Sequence, residues 1–213
     1  MRKYLRTAAW IVGIIAAIVI GLRVTILRWW VIPVDDPVHG TSLAPSLAAG
    51  DLVLLYKTTP KYGDLVRCAD PGAAGRYVVG RILATEGDKI ELTRSDIIVN
   101  GRPTLQEMGC NPSKVTVEHP TSGSPVDLHC SIEVAQGHKH MRGTIAGPNA
   151  RDVIRKSEVS ERNVYLVSDN RAFPMDSREY GAIPKSSCKE QIFFRIKSLK
   201  GMGDVATRLM YIQ

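Results

Sequence analysis

A serine at position 42 stands in the segment VHGTSLAPSL, residues 38–47, which precedes the strand-like run DLVLLYK. A serine hydroxyl attacks a carbonyl group only when a base removes its proton, so nucleophilic chemistry here requires a lysine or histidine from elsewhere in the chain. The plain alternative is a loop, because Ser, Gly, Thr and Pro clustered between apolar runs usually form a turn. The other segments of the sequence must decide between these interpretations.

The composition limits the class of protein. The chain has 213 residues, of which 44% are hydrophobic, enough for one globular domain with a core, and this excludes a disordered chain. The net charge of +7 comes from scattered basic residues without a Lys/Arg run. An anionic membrane surface explains this excess as well as nucleic acid does, and we expect no nucleic-acid partner.

The N-terminal segment is apolar. An uncharged run of 16 residues, Thr7 to Leu22, follows the basic start MRKYLR, which favours a cytoplasmic N-terminus. The run is shorter than the ~20 residues that span a bilayer, so a signal peptide stays an alternative. We favour an uncleaved anchor, because no A-x-A-like site follows and because Arg23, Arg28 and the Trp29-Trp30 pair suit a membrane interface.

Residues 1–34 are therefore predicted to form a cytoplasmic tip, a single transmembrane helix in the plasma (inner) membrane and an interfacial segment. The main domain would be periplasmic or extracellular.

Short runs rich in β-branched residues follow Pro33, and Gly, Pro, Asp and Asn separate them. The runs are DLVLLYK, GDLVRC, RYVVGRILA, DKIELT, DIIVNG, KVTVEH, NVYLVSD and QIFFRIK. They predict an all-β exterior domain, with a hairpin connected by Arg94-Ser95-Asp96. We assign residues 35–101 and 163–213 to a β core, and the polar, Pro- and Gly-rich residues 102–162 to an inserted loop-rich subdomain.

The four cysteines, Cys68, Cys110, Cys130 and Cys188, contain no C-x-x-C pair, so they lack metal-ligand spacing. In an oxidising exterior they can form disulfides, and the sequence leaves three pairings open. We predict that Cys110 and Cys130 staple the insertion. His138 and His140 lack a third ligand, so a metal site is a minor alternative, and no cofactor is expected.

Three segments, taken in order, resemble one family. They are GTSLAPSL (residues 40–47) with a Gly-Asp pair following, RYVVGRILATEGD (76–88) and SDNRAFPMDSREYG (168–181). With an apolar segment just before the first, they resemble bacterial signal peptidase I, a membrane-anchored S26-type serine endopeptidase that removes signal peptides from exported proteins. The first segment fits G-x-S-M-x-P-T-L with Leu43 for Met and Ser46 for Thr. The third fits G-D-N-R…D-S-R…G with Ser168 for the first Gly.

The resemblance implies a signal-peptidase-like fold in which Ser42, on an exposed turn, is the nucleophile and its backbone N–H contributes to the oxyanion hole. Near the site it implies the ion pairs Arg81–Asp169 and Asp176–Arg178, with Asn170 in the same segment. The residues that match apolar pockets for small substrate side chains are Val38, Leu43, Leu47, Val78 and Val79.

The resemblance also implies how substrate binds. An extended signal peptide would pair with strands at Gly40 and Val78. The expected partners are preprotein signal peptides and membrane lipid, and a paralogue or another export component is left open.

The chain departs from the family at the general base. The family's catalytic lysine corresponds to residue 80, which is glycine here, and the neighbouring Arg81 cannot be deprotonated. Pro174 replaces a serine that hydrogen-bonds the lysine in many bacterial members. His39 is a poor substitute base by its spacing, and Lys57 or Lys61 stays open; the sequence identifies no replacement.

Three hypotheses follow. The chain is an active signal endopeptidase with an unidentified base, or an impaired or inactive homologue, a pseudoenzyme, that binds signal peptides or a partner without cleaving. The third is an unrelated membrane-tethered β domain.

Overall fold

The computed structural model describes residues 2–93, 96–145, 155–204 and 207–212, and for residues 2, 3, 5–7, 22–25, 37 and 38 it describes the backbone alone. Within these residues the chain is mostly β, as predicted. The helices are α1 (Arg2–Thr25), α2 (Pro37–Ser42) and α3 (Ser177–Tyr180), and Lys185–Ser187 form a 3₁₀ turn. The strands are β1 (Leu27–Val31), β2 (Leu52–Lys57), β3 (Leu65–Ala69), β4 (Tyr77–Thr85), β5 (Lys89–Leu92), β6 (Ile97–Val99), β7 (Arg102–Pro103), β8 (Leu105–Glu118), β9 (Pro125–Ala135), β10 (His138–Thr144), β11 (Arg155–Glu158), β12 (Asn163–Val167), β13 (Ile183–Pro184), β14 (Cys188–Lys197) and β15 (Met210–Tyr211).

The main sheet contains the strands that carry the predicted site. Within the described residues it has eight strands, in the order β1-β2-β14-β3-β4-β12-β13, with β15 paired to β14. Strand β4, which carries Gly80 and Arg81, is buried from residue 78 to residue 84. Its β-branched and apolar sequence fits a strand that is covered on both faces.

Two apolar clusters cover the two faces of this sheet. The Val66 cluster comprises Val66, Cys68, Val78, Ile82, Val164, Leu166, Ile183 and Cys188. The Val79 cluster comprises Ile32, Leu43, Leu47, Val53, Leu55, Leu65, Val79 and Ile192. Because side chains alternate along a strand, even-numbered residues at the start of β4 face the Val66 cluster and odd-numbered residues face the Val79 cluster.

A smaller sheet in the order β11-β5-β6-β7 contains the predicted hairpin. Strands β5 and β6 pair antiparallel, with Leu92 opposite Ile97, so the hairpin is confirmed. Arg94 and Ser95 of its predicted connection lie outside the described residues.

The insertion is largely β-structure. Strands β8, β9 and β10 form a three-stranded antiparallel sheet in the order β10-β9-β8, so the loop-rich description of residues 102–162 is wrong. Most of β8 and the beginning of β9 are exposed, and such strands lack the apolar and polar alternation that identifies a half-buried strand. Residues 146–154 of this interval lie outside the described part of the chain, and the domain boundaries stay a prediction.

Two disulfides link the four cysteines. Cys110–Cys130 joins β8 to β9, which confirms the predicted pairing. Cys68–Cys188 joins β3 to β14, where the two residues lie opposite each other in the register. The two disulfides enclose loops of different length, because Cys110–Cys130 connects residues 20 positions apart and Cys68–Cys188 connects residues 120 positions apart.

The predicted apolar segment forms α1, on which Trp10, Ile14 and Ile18 are exposed. Within the described residues, no helix combines the length and the apolarity that crossing a membrane requires. The predicted transmembrane anchor is therefore not supported by the structure.

Removing the Cys68–Cys188 disulfide should destabilise the domain more than removing Cys110–Cys130. The entropy of loop closure gives roughly 5 kcal/mol for the 120-residue separation and roughly 3 kcal/mol for the 20-residue separation. Urea titrations of C68A/C188A and C110A/C130A give both free energies of unfolding. Equal losses in the two variants would show that the long-range constraint does not act through the unfolded chain.

Candidate functional site

Ser42 is the last residue of the short helix α2. Asp36 caps this helix, since its Oδ1 accepts a hydrogen bond from the His39 amide at 3.1 Å, and Pro37 occupies the first helical position. The Ser42 side chain is fully buried, and its Oγ donates to the His39 carbonyl oxygen at 3.1 Å. The predicted exposed turn is therefore wrong, because Asp36-Pro37 starts a helix that carries Ser42 inward.

Asn170 holds the backbone at Ser42. Its amide N–H donates to the Ser42 carbonyl oxygen at 3.0 Å, and its Nδ2 donates to the Thr41 carbonyl oxygen at 2.8 Å. Its Oδ1 accepts from the amides of Ala172 and Phe173 at 3.0 and 3.1 Å. One asparagine therefore joins the first and third family-like segments and fixes the distance between them.

Arg81 and Asp169 form the first predicted ion pair. Arg81 Nε lies 3.0 Å from Oδ1 and Nη2 lies 2.9 Å from Oδ2, and both side chains are almost fully buried. Ser46 Oγ donates to Oδ2 at 2.5 Å. Burial alone raises the pKa of Asp169, but the charge and hydrogen bonds of Arg81 outweigh burial and hold this pKa below its ordinary value.

Asp176 and Arg178 form the second predicted pair, with Nε 2.9 Å from Oδ1 and Nη2 2.7 Å from Oδ2. Asp176 Oδ2 also accepts from the Ser168 amide at 2.7 Å. Burial raises the pKa of Asp176, whereas the hydrogen bonds and charge of Arg178 lower it below its ordinary value. Pro174, two residues earlier, is half-buried and has no hydroxyl group to offer a base.

A buried carboxylate on β9 contacts the same region. Glu133 is fully buried, contacts the guanidinium of Arg171 and accepts from Thr104 Oγ1 at 2.8 Å. Its Oε2 lies 2.9 Å from Nε2 of His140. Burial opposes ionisation of Glu133, but the charge of Arg171 lowers its pKa well below the ordinary value. The sequence did not reveal Glu133, because its charged partner follows 38 residues later and no local pattern marks the pair.

The two histidines of the minor metal hypothesis lie in different surroundings. His138 is exposed and packs against Gly63, whereas His140 is buried and burial lowers its pKa. Among the described residues, no group of three or more His, Cys, Asp and Glu side chains comes together as a metal site would require.

The residues predicted to line substrate pockets divide between the two faces of the main sheet. Leu43, Leu47 and Val79 belong to the Val79 cluster, and Val78 belongs to the Val66 cluster. All four are almost fully buried and therefore fill the core in this structure. The side chain of Val38 lies outside the described residues.

Gly80 lies opposite Val66 in the middle of β4. A Cβ at this position would point towards Leu166, whose Cβ would be 3.0 Å away. Residue 80 thus faces the Val66 cluster, whereas Leu43, beside Ser42, packs in the Val79 cluster on the other face. Residue 80 and the Leu43 side chain therefore lie on opposite faces of β4.

Within the described part of the chain, no basic side-chain nitrogen of the substitute bases forms a hydrogen bond with Ser42 Oγ. Both ring nitrogens of His39 have oxygen partners, because Nδ1 lies 2.6 Å from Asp36 Oδ2 and Nε2 lies 2.9 Å from a β4 carbonyl oxygen. Lys57 and Lys61 have exposed side chains. In this structure Ser42 Oγ donates its hydrogen bond to a carbonyl oxygen, which is too weak a base to take the proton from the hydroxyl group.

Two comparisons relate the sequence of this chain to known proteins. A family model described as "Signal peptidase, peptidase S26" matches residues 5–196. "Signal peptidase I V" of Bacillus subtilis (strain 168) is 22% identical over 153 residues, which cover 70% of this chain and 77% of that protein. The residues matched by the family model include all three segments on which the resemblance rests.

Replacing Arg81 by Met should destabilise the fold strongly, because Asp169 would stay buried without its cation. We expect a loss of about 3–5 kcal/mol in the free energy of unfolding at neutral pH. Lys139→Ala is the matched control, since it removes the exposed pair with Glu107 and should cost at most about 1 kcal/mol. Urea titration measures both, and similar losses would contradict a special role for the buried pair.

The Arg81→Met deficit should also depend on pH. In the natural chain the folded-state pKa of Asp169 is lowered, so the stability from this pair is present above the unfolded value of about 4 and is lost as the pH falls through the folded-state pKa. Without Arg81, burial raises that pKa, and protonation relieves the buried charge. The difference between the two chains should therefore shrink from pH ~7 to ~4; a constant difference would contradict it.

Proposed function

The chain belongs to the signal peptidase family, peptidase S26, and from this membership we propose that it is a peptide hydrolase that cleaves N-terminal signal peptides from exported proteins, with Ser42 as the nucleophile. The observation that carries the proposal is the junction at Asn170, which holds the backbone of Ser42 against the third family segment. A structural framework for the nucleophile is therefore present.

The chemistry requires a change at Ser42. Its Oγ must form a bond to the scissile carbonyl carbon while its proton passes to a base, and the peptide nitrogen then leaves as an amine after protonation. The hydrogen bond from Oγ to the His39 carbonyl oxygen must break before this step. A base would come from rearranged groups of this chain, from a paralogue or from another export component.

A second candidate function stays open. This candidate is a homologue that binds signal peptides without cleaving them, and it is compatible with glycine at residue 80 and with the hydrogen bond from Ser42 Oγ to a carbonyl oxygen. Binding requires main-chain pairing and apolar pockets, and neither depends on a lysine.

Cleavage of a preprotein with an A-x-A site decides between the two. For a peptidase, Ser42→Ala should reduce the rate by about 10³-fold or more, and Ser186→Ala, at an exposed serine, should not. We expect the natural chain to be slow compared with the ~1–10³ s⁻¹ of ordinary enzymes. Equal rates for the natural chain and Ser42→Ala, with preprotein still bound, would refute the peptidase and favour the binding protein.

We propose further that α1 anchors the chain once in the plasma (inner) membrane, with a cytoplasmic N-terminus and the main domain periplasmic or extracellular. The exposed apolar side chains of α1 and the exposed Trp29 support the anchor, with membrane lipid as a partner. The basic start MRKYLR supports the orientation.

Protease protection in sealed vesicles tests the orientation. The main domain should be digested in right-side-out vesicles and protected in inverted ones. Only right-side-out vesicles expose the periplasmic or extracellular face of the membrane to the protease. Digestion in inverted vesicles alone would reverse the orientation, and recovery of the intact chain in the soluble fraction would refute the anchor.

A further inference from the structure

The beginning of β4 has an open edge. Strand β3 pairs with residues 77–81 of β4, whereas the register with β12 covers residues 81–85 on the other side. In the described structure, residues 77–80 therefore have no strand beside them at the edge opposite β3. An extended peptide could add a strand at this edge.

The backbone groups that face this edge follow from the ladder. The N–H of Ile82 donates to the Asp64 carbonyl oxygen, and its own carbonyl oxygen accepts from the Gly63 amide, both on the β3 side. Successive residues of a strand direct their N–H and C=O groups to opposite edges. The backbone groups of Tyr77 and Val79 therefore face the open edge.

His39 occupies this edge. Its Nε2 lies 2.9 Å from the Tyr77 carbonyl oxygen, and its Nδ1 lies 2.6 Å from Asp36 Oδ2. Asp36 also caps α2, the helix that carries His39 and Ser42. The ring is largely buried, so it fills space that a peptide strand beside Tyr77 would need.

The backbone of the same residue holds the nucleophile, since the His39 carbonyl oxygen accepts the hydrogen bond from Ser42 Oγ at 3.1 Å. The ring and the carbonyl group belong to one turn of a six-residue helix. A displacement of α2 that moves the His39 backbone together with its ring would therefore free Tyr77 and disturb the contact at Ser42 as well.

We propose that His39 is the residue that controls access of an extended peptide to Ser42. While its ring is bonded to Tyr77 and Asp36, the peptide cannot pair with the Tyr77 carbonyl group, and Ser42 Oγ stays buried. Displacement of His39 opens the β4 edge and releases the hydroxyl group in one movement. The inference rests on the proposed function only for the identity of the peptide, a signal peptide.

The accessibility of residue 42 can be measured without any catalysis. The four native cysteines are in disulfides, so Ser42→Cys introduces a single thiol, whose alkylation by iodoacetamide reports exposure. In this background, His39→Ala should raise the alkylation rate about tenfold or more, because the ring contacts that hold α2 closed are lost. His129→Ala, at an exposed imidazole on β9, is the matched control and should leave the rate unchanged.

A second reporter separates opening of the site from unfolding. Ser177→Cys, at a buried position in α3, should stay protected in the His39→Ala chain. If the thiol at residue 177 becomes reactive in the His39→Ala chain, the test uses Asp36→Asn instead of His39→Ala. Asp36→Asn weakens the contact at His39 Nδ1 and retains an oxygen that can cap α2. Equal alkylation of Ser42→Cys in the His39→Ala and His129→Ala chains, or in the Asp36→Asn and natural chains, would overturn the proposal.

Preprotein cleavage is measured in a separate experiment, with variants that retain Ser42. For a peptidase, His39→Ala should lower the KM for preprotein, because the β4 edge becomes free. Faster alkylation without any cleavage would refute the peptidase and still support control of access by His39.

Discussion

A buried charge is stable only when an opposite charge lies within hydrogen-bond distance. Arg81 and Asp169 form such a buried ion pair where β4 meets the segment after β12. Each ion costs several kcal/mol to bury, so neither is stable there without the other and the added hydrogen bond from Ser46. Asp169 precedes Asn170, whose amide groups hold the Ser42 backbone. The position of the candidate nucleophile therefore depends on an ion pair that is not itself proposed to take part in the chemistry.

The same strand carries the position of the missing base. Gly80 immediately precedes Arg81, yet its side-chain direction is towards Leu166 and away from the cluster that contains Leu43. The close approach of Leu166 gives glycine at residue 80 a packing reason within this sheet. The framework has thus been kept while the site around Ser42 is closed by His39.

The sequence predicted the parts of the fold that local patterns encode. The strands of the main sheet were recognisable because β-branched residues recur between Gly, Pro and Asp, and the ion pairs followed from the family resemblance. The strands of the insertion were missed because β8 is exposed along most of its length. Helix α2 was missed although Asp36-Pro37 is a helix-start signal, and Glu133 had no signal because its burial depends on Arg171, which only the fold brings near.

The position of β14 in the main sheet has a consequence for folding. This strand, residues 188–197, lies between β2 and β3, so two strands formed from the first third of the chain are joined through one near its end. Until β14 emerges, β2 and β3 each keep an unpaired edge, and such edges invite wrong pairing with other chains. Contacts between such distant segments also slow folding, because the loop between them must close first. The C-terminal strand therefore sets the time at which the domain can close, and a chain interrupted before residue 188 would lack the centre of its sheet.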